Sequence, residues 1–412
     1  MNLPNQTQLT ASQAYSPVGQ IGDNDPGVSA TASPQLSQLS QSTSDIMDEV
    51  EVLAQKITDS SIPAELEERL LRMVGRLRRM ARFGGYSGEF EVIDKYADWI
   101  TRIPWTIATT DHVDLVQARG IMDKNHYGMN SVKELVLDYL AVMKLHLEKG
   151  QTFGEASVVG DTAQLQGSAA HAPIICFVGL QGVGKTTMAK SIAQTLGRKF
   201  IRISLGALGS VTQLRGQSRA YLDAEPGQIV KALVRTGTMN PVILLDEIDK
   251  VSGQTGLLGD VMAALLEILD PEQNTSFIDH YIDYPIDLSN VMFIATANNL
   301  GTLSAALLDR LEVIRFTSYS DEEKIMIAKE YLLPRVLEAS ALDSQQLEIK
   351  EDVWPQIVRP LGFDAGIRQL ERNLTSLCRH AAREVIAGQT QKVVVTVDNV
   401  KTYMPEGIGT LS

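Results

Sequence analysis

The chain has little cysteine and no long apolar run. Only two of its 412 residues are cysteines, Cys176 and Cys378, and they lie far apart in apolar surroundings. A disulfide framework or a cysteine-rich metal site is therefore not expected, whereas a reducing compartment is. No apolar stretch approaches the roughly 20 residues that a membrane-spanning helix needs, so we expect no membrane association.

Basic residues are absent from the beginning of the chain, where Lys56 is the first. Neither a charged secretory signal nor an arginine-rich transit peptide is recognisable there, and we expect a cytoplasmic protein. The formal net charge of -13 disfavours general binding to nucleic acids, although a local basic face remains possible.

The composition changes near residues 45 and 150. Residues 1–45 are polar and almost free of large apolar side chains, which predicts a disordered tail. Residues 46–149 predict a helical segment, in which the helix Glu65–Arg82 has an apolar side and a basic side. A solvated face is the simplest interpretation of that basic side, and a nucleic-acid site is the alternative. Residues 150–172 are small and polar and predict a flexible linker.

Strand and helix patterns alternate over residues 173–318. This alternation predicts an α/β domain in which helices cover both faces of a parallel sheet. Residues 319–412 predict a small helical domain with a single strand. The predicted strands are Ile174–Val178, Phe200–Ser204, Val242–Asp246, Val291–Ala295, Val313–Phe316 and Lys392–Val397. The other predicted helices are Glu91–Arg102, Val132–Leu147, Lys185–Leu196, Gln228–Thr236, Leu258–Leu269, Leu303–Leu311, Asp321–Glu338, Lys350–Val358 and Ala365–Ile386.

A glycine-rich octapeptide lies between the first predicted strand of this domain and the next helix. Glycines let successive backbone N–H groups curl around phosphate oxygens, and the helix N-terminus adds its positive dipole end. In this P-loop pattern, Lys185 is expected to reach the β- and γ-phosphates of ATP, and Thr186 to hold Mg²⁺. A glycine turn before a core helix is the alternative. The candidate nucleotide-binding residues are Gly179, Leu180, Gln181, Gly182, Val183, Gly184, Lys185, Thr186 and Thr187.

Two acidic residues stand at the end of the apolar strand Val242–Asp246. The carboxyl end of a central strand is where open α/β sheets bind ligands. Asp246 is therefore expected to orient the Mg²⁺ shell, and Glu247 to polarise the water that attacks the γ-phosphate. An acidic first turn of the following helix is the alternative. The two motifs in this order predict an ATP- and Mg²⁺-dependent hydrolase.

Further sequence strings carry a family resemblance. They are Phe200–Gly206, Leu265–Asn274 and Leu307–Ile314, with Asp98-Trp99, Pro104-Trp105 and His126-Tyr127-Gly128 upstream. Through them, about residues 62–405 resemble the AAA+ ATPase module of the Lon protease family. The resemblance implies the P-loop AAA+ fold, a parallel sheet flanked by helices and followed by a helical lid.

The resemblance also implies roles for single residues. Asn298 resembles the sensor amide that positions the attacking water, and Arg310 the finger offered to a neighbouring subunit. Arg368 resembles the sensor arginine of the lid, whereas Tyr127 and Gly128 resemble the turn against which adenine packs. The alternative for Asn298 is an ordinary turn asparagine, and the alternative for Arg310 is a surface ion pair. For Tyr127 and Gly128 it is a plain turn before a helix.

Tyr221 and Leu222 resemble the pore-loop pair that grips an extended polypeptide, and a core tyrosine is the alternative. Departures from the family surround this loop, because Gln217 replaces a histidine and the segment Ala207–Thr212 lacks an acidic pair. The family's N-terminal substrate-binding domain is not recognisable. The sequence stops at Ser412, about where the lid would end, so we expect no serine-lysine peptidase domain.

The two phosphate motifs predict an ATPase, and the resemblance implies that it acts on unfolded or misfolded proteins as an unfoldase or remodelling chaperone. By the resemblance, it would form a homo-oligomer, a ring of six subunits. One alternative is the ATPase part of an ATP-dependent serine protease whose peptidase domain lies on a separate chain or has been lost by truncation. A DNA-dependent ATPase and a nucleotide-gated scaffold without turnover are further alternatives.

Overall fold

The computed structural model describes residues 47–82, 88–149, 174–221, 223–251, 257–359 and 366–404. The predicted tail over residues 1–45 and the predicted linker over residues 150–172 lie outside these ranges. In the part described, no helix is long and apolar enough to cross a membrane.

The residues before the sheet form a series of helices. They are α1 (residues 47–58), α2 (Ala64–Arg82), α3 (Glu89–Arg102), α4 (Leu115–Asn125) and α5 (Asn130–Glu148). Helix α4 was not predicted, because it buries only Ala118 and Met122 and contains Gly120. Its start is fixed by Asp114, whose carboxylate accepts hydrogen bonds from the N–H groups of the first turn.

A five-stranded sheet lies at the centre. Its strands are β1 (Ile174–Val178), β2 (Phe200–Ser204), β3 (Val242–Asp246), β6 (Met292–Ala297) and β7 (Leu311–Arg315). They lie in the order β2-β3-β6-β1-β7 with parallel pairing throughout. All residues of β3 and β6 are buried, since helices cover both faces, and both strands are largely apolar for this reason. The parallel α/β domain is thus confirmed.

The strand order brings the ends of β3, β6 and β1 side by side. These ends lead into Glu247, Asn298 and Gly179, and the register pairs Leu245 with Ala295 and Val178 with Ala297. Residues separated by more than 100 positions in sequence therefore meet at one edge of the sheet, where open α/β sheets bind ligands.

Helices and a short hairpin surround the sheet. The helices are α6 (Lys185–Leu196), α7 (Val211–Arg215), α8 (Gln228–Thr236), α9 (Leu257–Ile268) and α10 (Ala305–Leu308), and the hairpin strands are β4 (Phe277–Ile278) and β5 (Pro285–Ile286). Helix α7 and the hairpin were not predicted, because elements of two to five residues carry too little periodicity. Helix α10 is shorter than the predicted helix Leu303–Leu311, because β7 already begins at Leu311.

Alternate residues of the strands enter two separate cores. Cys176, Ile243 and Ala295 belong to a core that includes α1, α2, α3, α8 and α9. Phe177 and Leu244 face the other way, into a core shared with α4, α5, α6 and the C-terminal residues. The side-chain period of two in a strand produces this division.

The C-terminal region is a mainly helical lid, as predicted, but it contains two strands instead of one. Strand β8 (Leu347–Ile349) pairs with β9 (Val393–Val395) in parallel, and it was missed because its two apolar residues flank Glu348, whereas β9 is a run of valines. The helices are α11 (Asp321–Ile327), α12 (Leu333–Ala339), α13 (Trp354–Val358), α14 (Arg368–Ile386) and α15 (Val400–Tyr403).

The predicted continuous helix Asp321–Glu338 contains a π turn. It begins with a capping box between Ser320 and Glu323, and the turn Ala328–Leu332 separates α11 from α12. Pro334 follows at the start of α12 and has no N–H to donate to a carbonyl one turn earlier. A local widening of the helix is a common response to such a missing hydrogen bond.

Candidate functional site

The loop between β1 and α6 is shaped by its glycines. Gly182 and Gly184 have φ angles of 81° and 96°, a left-handed conformation that side chains rarely adopt. A Cβ atom on Gly179 would lie 2.6 Å from the carbonyl oxygen of Phe316. Because Gly184 lies immediately before Lys185 and has no capping side chain, the first N–H groups of α6 are left for an anion.

The ammonium group of Lys185 is folded back onto this loop. Lys185 Nζ donates hydrogen bonds to the carbonyl oxygens of Gly179 and Leu180, and to Asn298 Oδ1 at 3.0 Å. Burial lowers the pKa of Lys185, although the charges of Asp246 and Asp249 oppose this change. When a nucleotide binds, charged phosphate oxygens would thus take the place of the neutral carbonyl and amide partners of Lys185.

The carboxylate of Asp246 is buried at the end of β3 and is held from two sides. Thr296 donates a hydrogen bond to Oδ1, and Arg202 Nε lies 2.6 Å from Oδ2. The Thr296 hydroxyl also accepts the N–H of Glu247 at 3.0 Å. Sequence reasoning missed Thr296 and Arg202; the only hint was a hydroxyl and a charge within otherwise apolar strands.

Glu247 has a strained backbone. Its φ angle is 60°, in the left-handed region that costs a non-glycine residue about 1–3 kcal/mol. A Cβ atom on Gly206 would lie 2.9 Å from Glu247 Oε2, so glycine at that position makes room for the carboxylate. Strain of this kind often occurs at functional positions.

A cavity of about 350 Å³ brings most of the candidate residues together. This volume lies within the usual range for small-ligand sites. Gly128 is not part of the lining, nor are Gly179, Leu180 and Val183. The candidates that line it are Tyr127, Gln181, Gly182, Gly184, Lys185, Thr186, Thr187, Asp246, Glu247, Asn298 and Arg368.

Thr186 and Asp246 fit the chemistry of a magnesium ion. Both supply oxygen atoms to the same cavity, and Mg²⁺ prefers one or two protein oxygens together with phosphate and water. In the part of the chain that the structure describes, no cluster of three or more His, Cys, Asp or Glu residues could hold a metal by itself. The oxygen donors present therefore suit an ion that arrives with a nucleotide.

The turn after α4 forms one wall of the cavity. Lys133 Nζ fixes this turn by donating to the carbonyl of His126 and to Asp123 Oδ1, each at 2.7 Å. Burial lowers the pKa of His126 to about 4, so this ring is neutral at pH 7. Tyr127 lines the cavity beside His126, while Gly128 has a φ angle of 62° and supports the turn. The sequence indicated His126 only through its place in the family string His126-Tyr127-Gly128, without a role for its ring.

The lid contacts the phosphate loop directly. The N–H of Ile367 donates to the carbonyl of Gly182 at 3.1 Å. A Cβ atom on Gly366 would lie 2.3 Å from the carbonyl oxygen of Gln181. Arg368 Nη1 reaches Gln181 Oε1 at 3.4 Å, so this guanidinium lies against the loop that would hold the phosphates.

Arg310 does not line the cavity. Its guanidinium pairs with Asp270 at 2.8 Å and donates to the carbonyl of Ala306 at 3.0 Å. Burial opposes ionisation of Asp270, but the hydrogen bonds from Arg310, the Glu272 N–H and Gln273, together with the charge of Arg310, outweigh it and lower the pKa of that carboxyl. The guanidinium is one-third exposed, and it is separate from the nucleotide cavity of its own chain.

Tyr221 is 63% exposed and is therefore not a core residue. Leu222 lies outside the described residues. A groove of about 780 Å³ opens beside Tyr221 and is also lined by Arg219, His280 and Asp283.

Comparisons with known proteins show which families this chain resembles. Residues 175–319 match the family "ATPase family associated with various cellular activities (AAA)", and residues 338–394 match the "Lon protease AAA+ ATPase lid domain". The chain is 41% identical over 360 residues to Lon protease 1 of Bacillus subtilis, covering 87% of this chain and 43% of that protein. It is 42% identical over 356 residues to Lon protease 2 of Thermus thermophilus, covering 86% and 42%. The chain thus spans about two fifths of the length of these relatives.

Proposed function

This chain carries the AAA+ ATPase module of the Lon protease family, and from this premise we propose that it hydrolyses ATP to unfold or remodel proteins. One observation supports hydrolysis above the others. Lys185 lies 61 positions before the adjacent pair Asp246 and Glu247, yet all three line one cavity with the lid residue Arg368. A binding module alone would not need a carboxylate placed next to the magnesium ligand.

In the proposed reaction the P-loop N–H groups and Lys185 bind the triphosphate. Release from the carbonyls of Gly179 and Leu180 frees the ammonium group for the β- and γ-phosphates. Thr186 and Asp246 would hold Mg²⁺, which would neutralise charge on the phosphate oxygens when bound. Thr296 fixes the Asp246 carboxylate and the Glu247 backbone through one hydroxyl.

Glu247 orients the attacking water and accepts a hydrogen bond from it. Asn298 donates through its amide NH₂ group to the same water or to the γ-phosphate, while Lys185 leaves the amide oxygen to bind phosphate. Arg368 stabilises negative charge on the phosphates and draws the lid towards them. We infer the roles of these three side chains from their position in the cavity.

Arg310 is proposed to act on the nucleotide of a neighbouring subunit. The guanidinium is partly exposed and lies outside its own cavity, which supports an action in trans. Such a finger is worth about 10³–10⁵ in rate in other nucleotide hydrolases. Each site would then be complete only in a closed ring, for which we propose six subunits in the cytoplasm.

Tyr221 is proposed to grip the polypeptide. Its exposed ring borders a groove that is open to solvent, and an aromatic side chain binds polypeptide with little dependence on sequence. Leu222 is included in this proposal as its sequence neighbour. Unfolded or misfolded proteins would be the substrates.

A second candidate function is the motor of an ATP-dependent protease. The names of the relatives favour it, because the proteins that this chain resembles are Lon proteases of more than twice the matched length. The peptidase would then lie on another chain or another part of the protein.

A DNA-dependent ATPase receives less support from the structure. Arginines of α2 pair with carboxylates, namely Arg72 with Glu68, Arg76 with Glu89 and Arg78 with Glu51. These pairs neutralise much of the basic side that a phosphate backbone would need.

The test measures ATP turnover with and without a permanently unfolded polypeptide, such as carboxymethylated lactalbumin. We expect stimulation by the polypeptide, a loss of turnover in Lys185→Ala, and a loss of about 10²–10⁴ in Glu247→Gln with nucleotide binding retained. Lys190→Ala, an exposed position on the same helix, is the matched control. Wild-type turnover in Glu247→Gln would overturn the proposal, and shortened polypeptide would favour the protease function.

A further inference from the structure

The loop that carries Tyr221 is closed at its base. The N–H of Gln217 donates to the carbonyl of Glu225 at 3.1 Å. Below it, the buried carboxylate of Asp279 accepts the N–H of Gly227 at 2.7 Å, and a Cβ atom on Gly216 would lie 2.4 Å from Asp279 Oδ1. These contacts fix where the loop begins and ends but do not touch its exposed part.

The exposed part of the loop is held from outside by α3. The guanidinium carbon of Arg219 lies 3.8 Å from the centre of the Tyr96 ring, a short cation-π contact. Only Ala220 separates Arg219 from Tyr221. On the other side of the loop, Lys95 Nζ donates to the carbonyl of Ala224 at 3.1 Å. Neighbouring residues of one helix therefore contact the loop before and after Tyr221.

Tyr96 is itself a rigid support. It is fully buried, and its hydroxyl donates to the carbonyl of Ile282 at 2.8 Å. Its ring also meets the ring of Tyr281 edge to face, with the centres 6.0 Å apart. The ring thus cannot follow Arg219 if that side chain moves.

Asp283 joins α2 to the same arrangement. Arg69 of α2 pairs with the Asp283 carboxylate and donates to its carbonyl at 2.9 Å. Arg219 lies 3.7 Å from the same carboxylate. Two guanidinium groups, one from the loop and one from α2, therefore share one carboxylate.

We propose that Arg219 is a positioning residue for the polypeptide-gripping loop, which it ties to α2 and α3 through Tyr96 and Asp283. This inference rests on the proposed function of Tyr221. Through this tie, Tyr221 moves together with the N-terminal helices, and force on a bound polypeptide passes to them. Without the tie the loop stays closed at Gln217 and Glu225 but loses its fixed position in the groove.

The test compares Arg219→Met with Arg219→Lys in the full chain. Met removes the charge and keeps an unbranched apolar side chain, whereas Lys keeps a cation over the ring. We expect Arg219→Met to keep basal ATP turnover within about twofold of wild type. The apparent affinity of Arg219→Met for carboxymethylated lactalbumin should fall roughly tenfold, as expected for loss of one partly desolvated cation-π contact. Arg219→Lys should keep most of the wild-type affinity.

Arg102→Met is the matched control. The Arg102 guanidinium also stacks on an aromatic ring of α3, that of Trp99 at 5.2 Å, and it pairs with Asp98. It has no contact with the loop among those described. This variant should keep its polypeptide affinity, so any loss specific to Arg219→Met comes from the loop.

Amide hydrogen exchange over residues 217–221 gives a second readout that does not depend on polypeptide binding. Exchange should accelerate in Arg219→Met and in Tyr96→Leu. The variant that combines both substitutions should exchange about as fast as either one alone, and Tyr96→Phe should stay close to wild type. Unchanged exchange in Arg219→Met would overturn the tie. Wild-type polypeptide affinity in Tyr221→Ala, with faster exchange in Arg219→Met, would instead overturn only the proposed grip.

Discussion

Gly366→Ala should uncouple the lid from the phosphate loop. The added Cβ would lie 2.3 Å from the carbonyl oxygen of Gln181 and 2.9 Å from Gly182 Cα. Since a carbon and an oxygen approach to about 3.3 Å, the lid must withdraw by about 1 Å. The phosphate loop will not yield, because it continues into β1 and α6 of the core. Withdrawal breaks the hydrogen bond from Ile367 to Gly182 and moves the adjacent Arg368.

A displacement of this size should lower kcat for ATP roughly 100-fold, which corresponds to about 2.7 kcal/mol of activation free energy. Nucleotide affinity should change much less, because the P-loop itself is unaltered. Steady-state turnover and binding of a fluorescent ADP separate the two quantities.

Gly120→Ala is the matched control for this experiment. A Cβ atom at Gly120 meets nothing within 4 Å, and the residue lies inside helix α4. This variant should keep its turnover and gain about 0.5–1 kcal/mol of stability. If Gly366→Ala and Gly120→Ala both keep wild-type kcat, the contact between lid and P-loop has no part in the reaction.

Three further predictions concern the cavity and its surroundings. Thr296→Val removes the hydroxyl that holds Asp246 and the Glu247 N–H, so the Mg²⁺ concentration for half-maximal nucleotide binding should rise several-fold; an unchanged Mg²⁺ titration would contradict this role. The pKa of His126 is about 4 in the folded protein, so its ring binds a proton more readily in the unfolded chain. The free energy of unfolding should therefore fall by up to about 3 kcal/mol as the pH drops from 6.5 to 4. Denaturant titrations of His126→Asn should lack this component of the decline. Arg310→Ala should lower turnover at least about 10³-fold while single-site nucleotide binding persists. Arg315→Ala, which replaces an exposed arginine of β7, should leave both turnover and binding at wild-type levels.

Local sequence was enough to predict the residues that come directly from one strand end. The apolar runs Ile174–Val178 and Val242–Asp246 predicted their strands to the residue, because both strands are buried on both faces. The P-loop and the pair Asp246 and Glu247 then follow in sequence. The structure brings both groups to one cavity.

The partners of these residues could not be predicted in the same way. Thr296 meets Asp246 because β6 pairs with β3, and the register of two strands 50 residues apart is set by packing of the whole sheet. His126 reaches the cavity because α4 packs on α6, and α4 itself was missed. The strand β8 was missed for a similar reason, since its short sequence around Glu348 is recognisable as a strand only through its pairing with the valine run of β9.

The two cysteines lie in different cores, one on each side of the sheet. Cys176 packs with the N-terminal helices, and Cys378 of α14 packs in the core that contains the lid. Burial raises the pKa of the Cys176 thiol to about 12 and that of Cys378 to about 11, so neither forms the reactive thiolate while its core is closed. The chain has no other thiol, so the rate at which an alkylating reagent labels each cysteine, followed by mass spectrometry, would report how often each of the two cores opens. This measurement needs no substitution in the protein.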